Sequence, residues 1–279
     1  MSTFSSISSE YQQKASLQQD ASKKLWDLLA IDKSESVLDL GCGPGHLTRK
    51  IRDWTSGTVF GVDPAEGMIA KARRNCQRLP VTFVVADAET MEITQQFDVI
   101  FCNSTFQWFV DPNRALTNCC RLLRPGGRMG IQAPARSDYC PNFIEASKAL
   151  ASDPRTAEIF SQFKLPWFFL DTAEDYGRLF ESNGMVPRYC QIETISEPCS
   201  PEKVLSMFSS GAANGYLNPA YYSVDLPSDY EEVAREIVKA SFQAQADVSG
   251  RVQLTFHRIY LVAEKKGEAP VPKSPSPAM

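Results

Sequence analysis

The run Val37-Leu38-Asp39-Leu40-Gly41-Cys42-Gly43-Pro44-Gly45 admits few backbone paths: it reads as an apolar strand that enters a glycine-paved turn and opens a helix. An acid stands at the end of the strand, and three glycines follow at alternate positions. Glycine has no Cβ and tolerates positive φ, so such a turn can bring backbone N–H groups against a ligand that any side chain would hold off. The spacing departs from the dinucleotide fingerprint G-x-G-x-x-G, because His46 stands where its third glycine belongs. Alone, the turn indicates a nucleotide-type ligand and leaves its identity open.

From residue 20 onward, strand and helix patterns alternate, the sign of a parallel sheet covered on both faces. Residues 20–30 form an amphipathic helix with Leu25, Leu28 and Leu29 on one face, and residues 36–40 form the first strand. The next helix carries Leu47, Ile51 and Trp54. A second strand at 58–62 ends at Asp63, a helix at 65–76 carries Met68 and Ile69, and a third strand at 81–86 ends at Asp87. Residues 97–102 are apolar enough to be buried on both faces. A helix over 113–123, with Leu116, Cys119, Cys120 and Leu123 inward, stops at Arg124-Pro125-Gly126-Gly127 before a fifth strand at 128–132. Residues 173–182 return as a helix and 188–195 as a strand. Ser228-x-x-Glu231 has the form of a capping box for a helix with Tyr230, Val233, Ile237 and Phe242 inward, and 251–263 is the last strand. This order predicts a Rossmann-like α/β fold: a seven-stranded, mostly parallel sheet with helices on both faces and a small helical cap. The cap is expected from proline- and aromatic-rich insertions near 134–170 and 198–227, on the side where open α/β sheets bind ligands. Residues 1–20 form an N-terminal lid segment, 21–264 the main domain, and 265–279, rich in Lys, Glu and Pro, a disordered tail.

With 279 residues and 43% hydrophobic content, the chain can bury one large core plus a modest cap. A net charge of −4 gives no electrostatic footprint for nucleic acid and disfavours polyanionic substrates. The 8 cysteines include no C-x-x-C pair and are accompanied by only 2 histidines, His46 and His257, so neither a metal site nor a disulfide scaffold is expected. Residues 1–19 lack the apolar core of a leader, and no apolar run is long enough to span a bilayer. A reduced, cytoplasmic setting without a membrane partner is the expectation. The oligomeric state is left open.

Acids close the second and third strands as well as the first: Asp63, and Asp87 in Ala86-Asp87-Ala88. Any one of them could be merely a helix N-cap. Together with the form acid-x-Gly-x-Gly-x-Gly, the three resemble the class I S-adenosylmethionine-dependent methyltransferases. That resemblance implies S-adenosylmethionine as cofactor, surrounded by Asp39, Gly41, Gly43, Asp63, Met68, Asp87, Ala88 and Asn103, with Tyr11 closing over it. Asp63 would accept the ribose hydroxyls, Met68 would pack on the adenine face, and Asp87 would accept from the adenine amino group.

The block Ile100-Phe101-Cys102-Asn103-Ser104-Thr105-Phe106-Gln107-Trp108, with Leu123-Arg124-Pro125-Gly126-Gly127, is similar to a subgroup that methylates carboxylic acids. It comprises trans-aconitate, malonyl-carrier-protein and insect juvenile hormone acid methyltransferases. Tyr11-Gln12-Gln13-Lys14-Ala15-Ser16-Leu17-Gln18 resembles the last of these, and Thr255-Phe256-His257-Arg258-Ile259-Tyr260 the closing strand of the other two. The resemblance spans residues 11–264. It implies a small-molecule carboxylic acid as partner, an isoprenoid like juvenile hormone acid or another small acid, with Gln18 and Trp108 as the catalytic pair that holds its carboxylate.

Elementary chemistry supports such an acceptor. A carboxylic acid in water loses its proton near pH 4, so the acceptor is already ionised at neutral pH and in-line methyl transfer needs no general base. Neither histidine stands at an obvious strand-end base position, and His46 reads as facing outward. Gln18 can donate two N–H bonds and Trp108 one, which orients an anion without the tight ion pair that would stabilise the ground state. Plainer readings stand beside these: Trp108 as a core aromatic under a lid, and Gln18 as a solvated residue at a helix start. Arg136 and Arg258 are alternative anchors, with a structural role favoured for both. Phe160, Phe163, Trp167, Phe168, Phe169, Met207, Phe208 and Tyr216 either line an apolar pocket or form the core that any lid needs. Competing functions are a C- or N-methyltransferase of a quinone-like or amine molecule, and a non-catalytic cofactor-binding regulatory protein.

Overall fold

A computed structural model describes residues 16–267, with side chains from residue 21 onward. Its strands are β1 (Val37–Leu40), β2 (Val59–Asp63), β3 (Thr82–Val85), β4 (Phe97–Asn103), β5 (Leu123–Pro134), β6 (Met185–Cys199) and β7 (Val252–Lys265). Helices α1 (Ser16–Leu29), α2 (His46–Trp54), α3 (Glu66–Asn75), α4 (Pro112–Leu122) and α7 (Ala173–Ser182) accompany the sheet. Helices α5 (Pro141–Ser152), α6 (Ala157–Phe160), α8 (Pro201–Ser210), α9 (Ala213–Tyr216) and α10 (Tyr230–Ala244) build the cap.

The seven strands lie in the order β3-β2-β1-β4-β5-β7-β6, and β7 alone runs against its neighbours. Strand order reverses between β1 and β4, so the carboxyl ends of these two central strands form the crevice where open α/β sheets bind ligands. All four residues of β1 are buried, which explains why three of them are apolar. Leu25 and Leu29 of α1 pack with Val37, Val99 and Phe101 beneath the sheet. Arg128 of β5 fastens that helix: Nε donates to Leu29 O at 2.7 Å, Nη2 to Ala30 O, and the fork grips both Glu35 oxygens at 2.7 and 2.8 Å. The last carbonyls of α1 are thereby satisfied by a cation, as a helix C-terminus favours.

Three local expectations are corrected. Helix α4 ends at Leu122, and Leu123 already pairs with Phe97; residues 124–127 are an excursion within β5, after which pairing resumes at Val99 and Arg128. The capping box does not form. Asp229 is the N-cap of α10 without a side-chain bond, and Glu231 instead pairs with Arg235 one turn on. Strand β6 begins three residues before and ends four residues after the expected 188–195, running from Met185 to Cys199, so the second insertion starts at 200.

The last difference shapes the molecule. Strand β5 accompanies β7 only over residues 258–264, whereas β6 follows β7 down to the pair Cys199 and Val252. The unaccompanied ends form a two-stranded ribbon beyond the sheet. Val252, Leu254 and Phe256 share one of its faces and pack with Phe143 of α5, Val204 and Phe208 of α8, and Tyr230 and Phe242 of α10. This is a second core, separate from the one around β4 and β5. Helix α10 therefore belongs to the cap.

Candidate functional site

The glycine turn after β1 is fixed from two sides. Gly41, at φ 75°, donates to Val62 O, and a Cβ there would stand 2.0 Å from Thr105 Oγ1. The turn can therefore nest against the loop after β4 only with glycine at this position. Gly43, at φ 51°, has no atom within 4 Å of where a Cβ would project. Its N–H donates to Asp63 Oδ2 at 2.9 Å, while Asp63 Oδ1 accepts from Ala65 N at 2.9 Å. Asp63 thus joins the turn to the head of α3.

Asp39 has a different role from its neighbours. It is 2% exposed and accepts a 2.6 Å bond from Thr48 Oγ1, which ties β1 to α2. Burial pushes its carboxyl up to about 7; the Thr48 bond opposes the rise and the Asp63 charge adds to it. A carboxyl whose folded pKa lies above its unfolded value contributes most below about pH 4, and that contribution declines as pH rises toward 7. Asp39→Asn is expected to remove the decline, which amounts to about 4 kcal/mol for a rise from 3.8 to about 7. Melting temperatures measured from pH 4 to 8 test this. Wild type should lose stability relative to the variant up to about pH 7 and then run level, and parallel curves would refute the burial argument.

The remaining strand-end residues divide between cavity and support. Asp87 is exposed, with Oδ1 accepting from Glu89 N at 2.7 Å, and Ala88 is buried, its carbonyl accepting from Asn118 Nδ2. Met68 is 39% exposed and lines a cavity of about 380 Å³ together with Gly43, Ser104, Gln107 and Trp108. Asn103 ends β4 with its Oδ1 buried and unpartnered among the described residues. Ser104 follows at φ 55°, a left-handed conformation that costs a non-glycine residue about 1–3 kcal/mol and so points to a functional constraint. His46 is exposed, as its position suggested. Tyr11 lies outside the described residues. Gln18 falls in the first turn of α1, where side chains are not described.

Beyond the turn, the cavity is walled by Tyr139, Phe143, Trp167, Phe169, Met207 and Phe256, with Arg258 among them. Trp108 is half-buried, meets Trp167 edge to face at 5.7 Å, and its indole N–H has no acceptor among the described residues. The aromatic cluster read from the insertions separates: Trp167, Phe169 and Met207 reach the cavity, Phe160, Phe163, Phe208 and Tyr216 pack within the cap, and Phe168 joins the main core. Both accounts of that cluster therefore hold, each for part of it. The two arginines also separate. Arg136 grips Asp138 through two bonds at 2.9 and 3.1 Å, whereas Arg258 is 5% exposed over the Phe256 ring with Nε unpartnered.

Sequence reasoning missed Ser104, Gln107, Tyr139, Phe143 and Phe256 as cavity residues. Ser104 and Gln107 stand between Asn103 and Trp108 in the run after β4, so position gave a signal for them. Tyr139 and Phe256 come to line one cavity because Tyr139 O accepts from His257 N, a pairing of distant segments with no local mark. All eight cysteines are free thiols, and no cluster of three side chains suited to a metal occurs among the described residues. Nor is any described helix long and apolar enough to cross a membrane.

Residues 37–127 match a family described as a methyltransferase domain. Over 127 residues the chain is 33% identical to a malonyl-[acyl-carrier protein] O-methyltransferase of Acetivibrio thermocellus, covering 44% of this chain and 45% of that one. It is 27% identical to a trans-aconitate 2-methyltransferase of Methylobacterium nodulans over 233 residues, 82% of this chain and 86% of the other. In the first of these, as in several others, the chain spans about half the length of the curated relative it matches. The YcgJ protein of Bacillus subtilis shares the fold, with a TM-score of 0.60 at 18% identity over 89% of this chain and 99% of that one.

The site fits the cofactor of such a domain, S-adenosylmethionine. Open space beside Gly43, which a Cβ would enter, adjoins the Asp63 carboxylate bonded to the same turn. The buried Asn103 Oδ1 lacks a donor. These are features that a nucleoside-bearing ligand would complete.

Proposed function

Proceeding from a methyltransferase domain at residues 37–127, we propose that this chain is a carboxyl O-methyltransferase, which esterifies a small carboxylic acid in the aromatic cavity. One observation carries the reading: among the described residues, no Asp, Glu, His, Lys or Cys lines that cavity, which nevertheless holds the donors Trp108, Tyr139 and Arg258. Burial pushes the Tyr139 phenol well above its ordinary range, so it keeps its proton at neutral pH. His257 is turned away, with Nδ1 bonded to Thr194 Oγ1 at 2.9 Å. A site of donors without a base suits an acceptor that arrives already ionised.

S-adenosylmethionine, when bound, supplies a sulfonium methyl group whose C–S bond breaks as the new O–C bond forms, leaving a neutral thioether and a methyl ester. The chain's own part is to bind, orient and exclude water. Gly41, Gly43, Asp63, Met68, Asp87, Ala88 and Asn103 form the cofactor side, with Asp39 holding the turn from beneath and Tyr11 closing over it. Trp108 and Gln18 donate N–H bonds to the reacting carboxylate. The aromatic walls strip its water, which raises the reactivity of the attacking oxygen.

Transfer of labelled methyl onto a panel of isoprenoid acids, dicarboxylates and carrier-bound acyl thioesters tests the assignment. An alkali-labile product is the expected result, since an ester releases methanol; label that resists alkali would indicate transfer to carbon or nitrogen and overturn it. Trp108→Phe keeps the ring and removes the N–H. Its kcat/KM for the acid should fall about tenfold or more, chiefly through weaker and less well oriented binding of the carboxylate, with cofactor affinity unchanged. An intact kcat/KM would refute the role of the indole.

A further inference from the structure

Arg258 is the one cation lining the cavity among the described residues, and the protein gives it no counter-ion there. A guanidinium is always charged at physiological pH, and a buried charge without a partner is strongly unfavourable. The carboxylates on flanking segments are engaged elsewhere. Glu193, opposite Arg258 on β6, is taken by Lys24 and by Tyr189 Oη at 3.0 Å, and Asp138, in the loop after β5, is gripped by Arg136. Phe256, two residues back on the same strand face, lies 4.8 Å from the guanidinium and holds its plane. Tyr139, also buried and lining the cavity, has its hydroxyl beside that of Tyr216 without completing a hydrogen bond of good geometry, and its backbone carbonyl is bonded to His257 N at 2.8 Å, next to Arg258.

A charged donor without a partner and a phenol beside Tyr216, each more than nine-tenths buried and lining one cavity, are a preformed anion site. The anion is not the reacting group. A carboxylate loses its negative charge as it takes the methyl, so a guanidinium clamped on it would stabilise the starting state more than the transition state. The cation serves best on a group whose charge does not change. We propose that Arg258, with Tyr139, receives a second, non-reacting carboxylate of the acceptor, so that the preferred acceptors are dicarboxylic acids with a carbon skeleton small enough for the aromatic cavity. This rests on the reading of the cavity as the seat of an acid acceptor. It disfavours monocarboxylic isoprenoids, which offer Arg258 nothing.

Calorimetry on the full chain with S-adenosylhomocysteine present would compare two matched probe pairs, phenylsuccinate with 3-phenylpropanoate and glutarate with butanoate. Wild type is expected to bind each dicarboxylate at least tenfold more tightly than its monocarboxylate. In Arg258→Gln that preference should collapse to within about twofold, through weaker dicarboxylate binding. The melting temperature of the variant separates a ligand site from a structural one: it should equal or exceed that of wild type, because an uncompensated buried charge has gone, and phenylsuccinate should raise it no more than 3-phenylpropanoate does. Equal binding of both members of each pair by wild type would overturn the Arg258 proposal while the acid reading stands. Binding of no member would overturn both. A variant that melts lower yet keeps the wild-type preference would show Arg258 to be structural.

Discussion

Asp63→Ala is expected to abolish calorimetrically measurable binding of S-adenosylmethionine and S-adenosylhomocysteine while leaving the sheet folded. The carboxylate sits half-buried at the end of β2 with each oxygen already accepting one backbone N–H, from Gly43 and from Ala65. Each oxygen has a further lone pair for a ribose hydroxyl. Removing the side chain releases two N–H groups that lie at the rim of the crevice and can turn to water, a cost to folding of about 1–2 kcal/mol. The ligand would lose hydrogen bonds to a charged acceptor worth about 1.5–3 kcal/mol each, so two of them correspond to at least a hundredfold in affinity. The glycine turn would also lose the tie that sets its distance from α3. Circular dichroism close to that of wild type, together with lost binding, is the expected combination. Affinity unchanged from wild type would sink the assignment of this strand end to the cofactor.

The parts of this molecule that were legible in the sequence are those whose cause is local. The turn at 41–45 announces itself because three alternate glycines have few other uses, and β1 and β4 because mostly apolar runs, each interrupted by an acid, follow from burial on both faces. Asp39 shows where local reading stops. An acid beside a glycine turn looks ligand-facing, but its position in the strand directs it inward to Thr48, a contact that depends on how α2 returns over β1. The cap was legible as composition and not as structure. Its core exists because β6 and β7 outrun β5 and expose Leu254 and Phe256 to helices more than a hundred residues away in sequence, such as α5. Arg258 is the sharpest case. Sequence shows a cation in an alternating strand and cannot say whether an acid meets it; only the fold shows Glu193 and Asp138 committed to other partners.

Gly41→Ala and Gly43→Ala, two positions apart in the same turn, are expected to fail in opposite ways. At Gly41 the new Cβ would lie 2.0, 2.4 and 2.6 Å from Thr105 Oγ1, Cγ2 and Cβ, a β-branched side chain rooted too close to swing aside. Overpacking and a left-handed φ together cost about 3–4 kcal/mol, which for a chain of this size lowers the melting temperature by about 10 °C. At Gly43 the Cβ meets nothing, so only the φ of 51° is penalised, by about 1–2 kcal/mol and a few degrees. Yet that Cβ enters the open space beside Asp63, and cofactor affinity should fall more than about tenfold. Melting curves and cofactor titration on the two variants separate the roles: Gly41 is required by the protein's own packing, Gly43 by the ligand. If Gly43→Ala bound the cofactor as wild type does, that space would not be its seat, and only Gly41, against Thr105, and Gly45, against Ala72, would have a packing reason to be glycine.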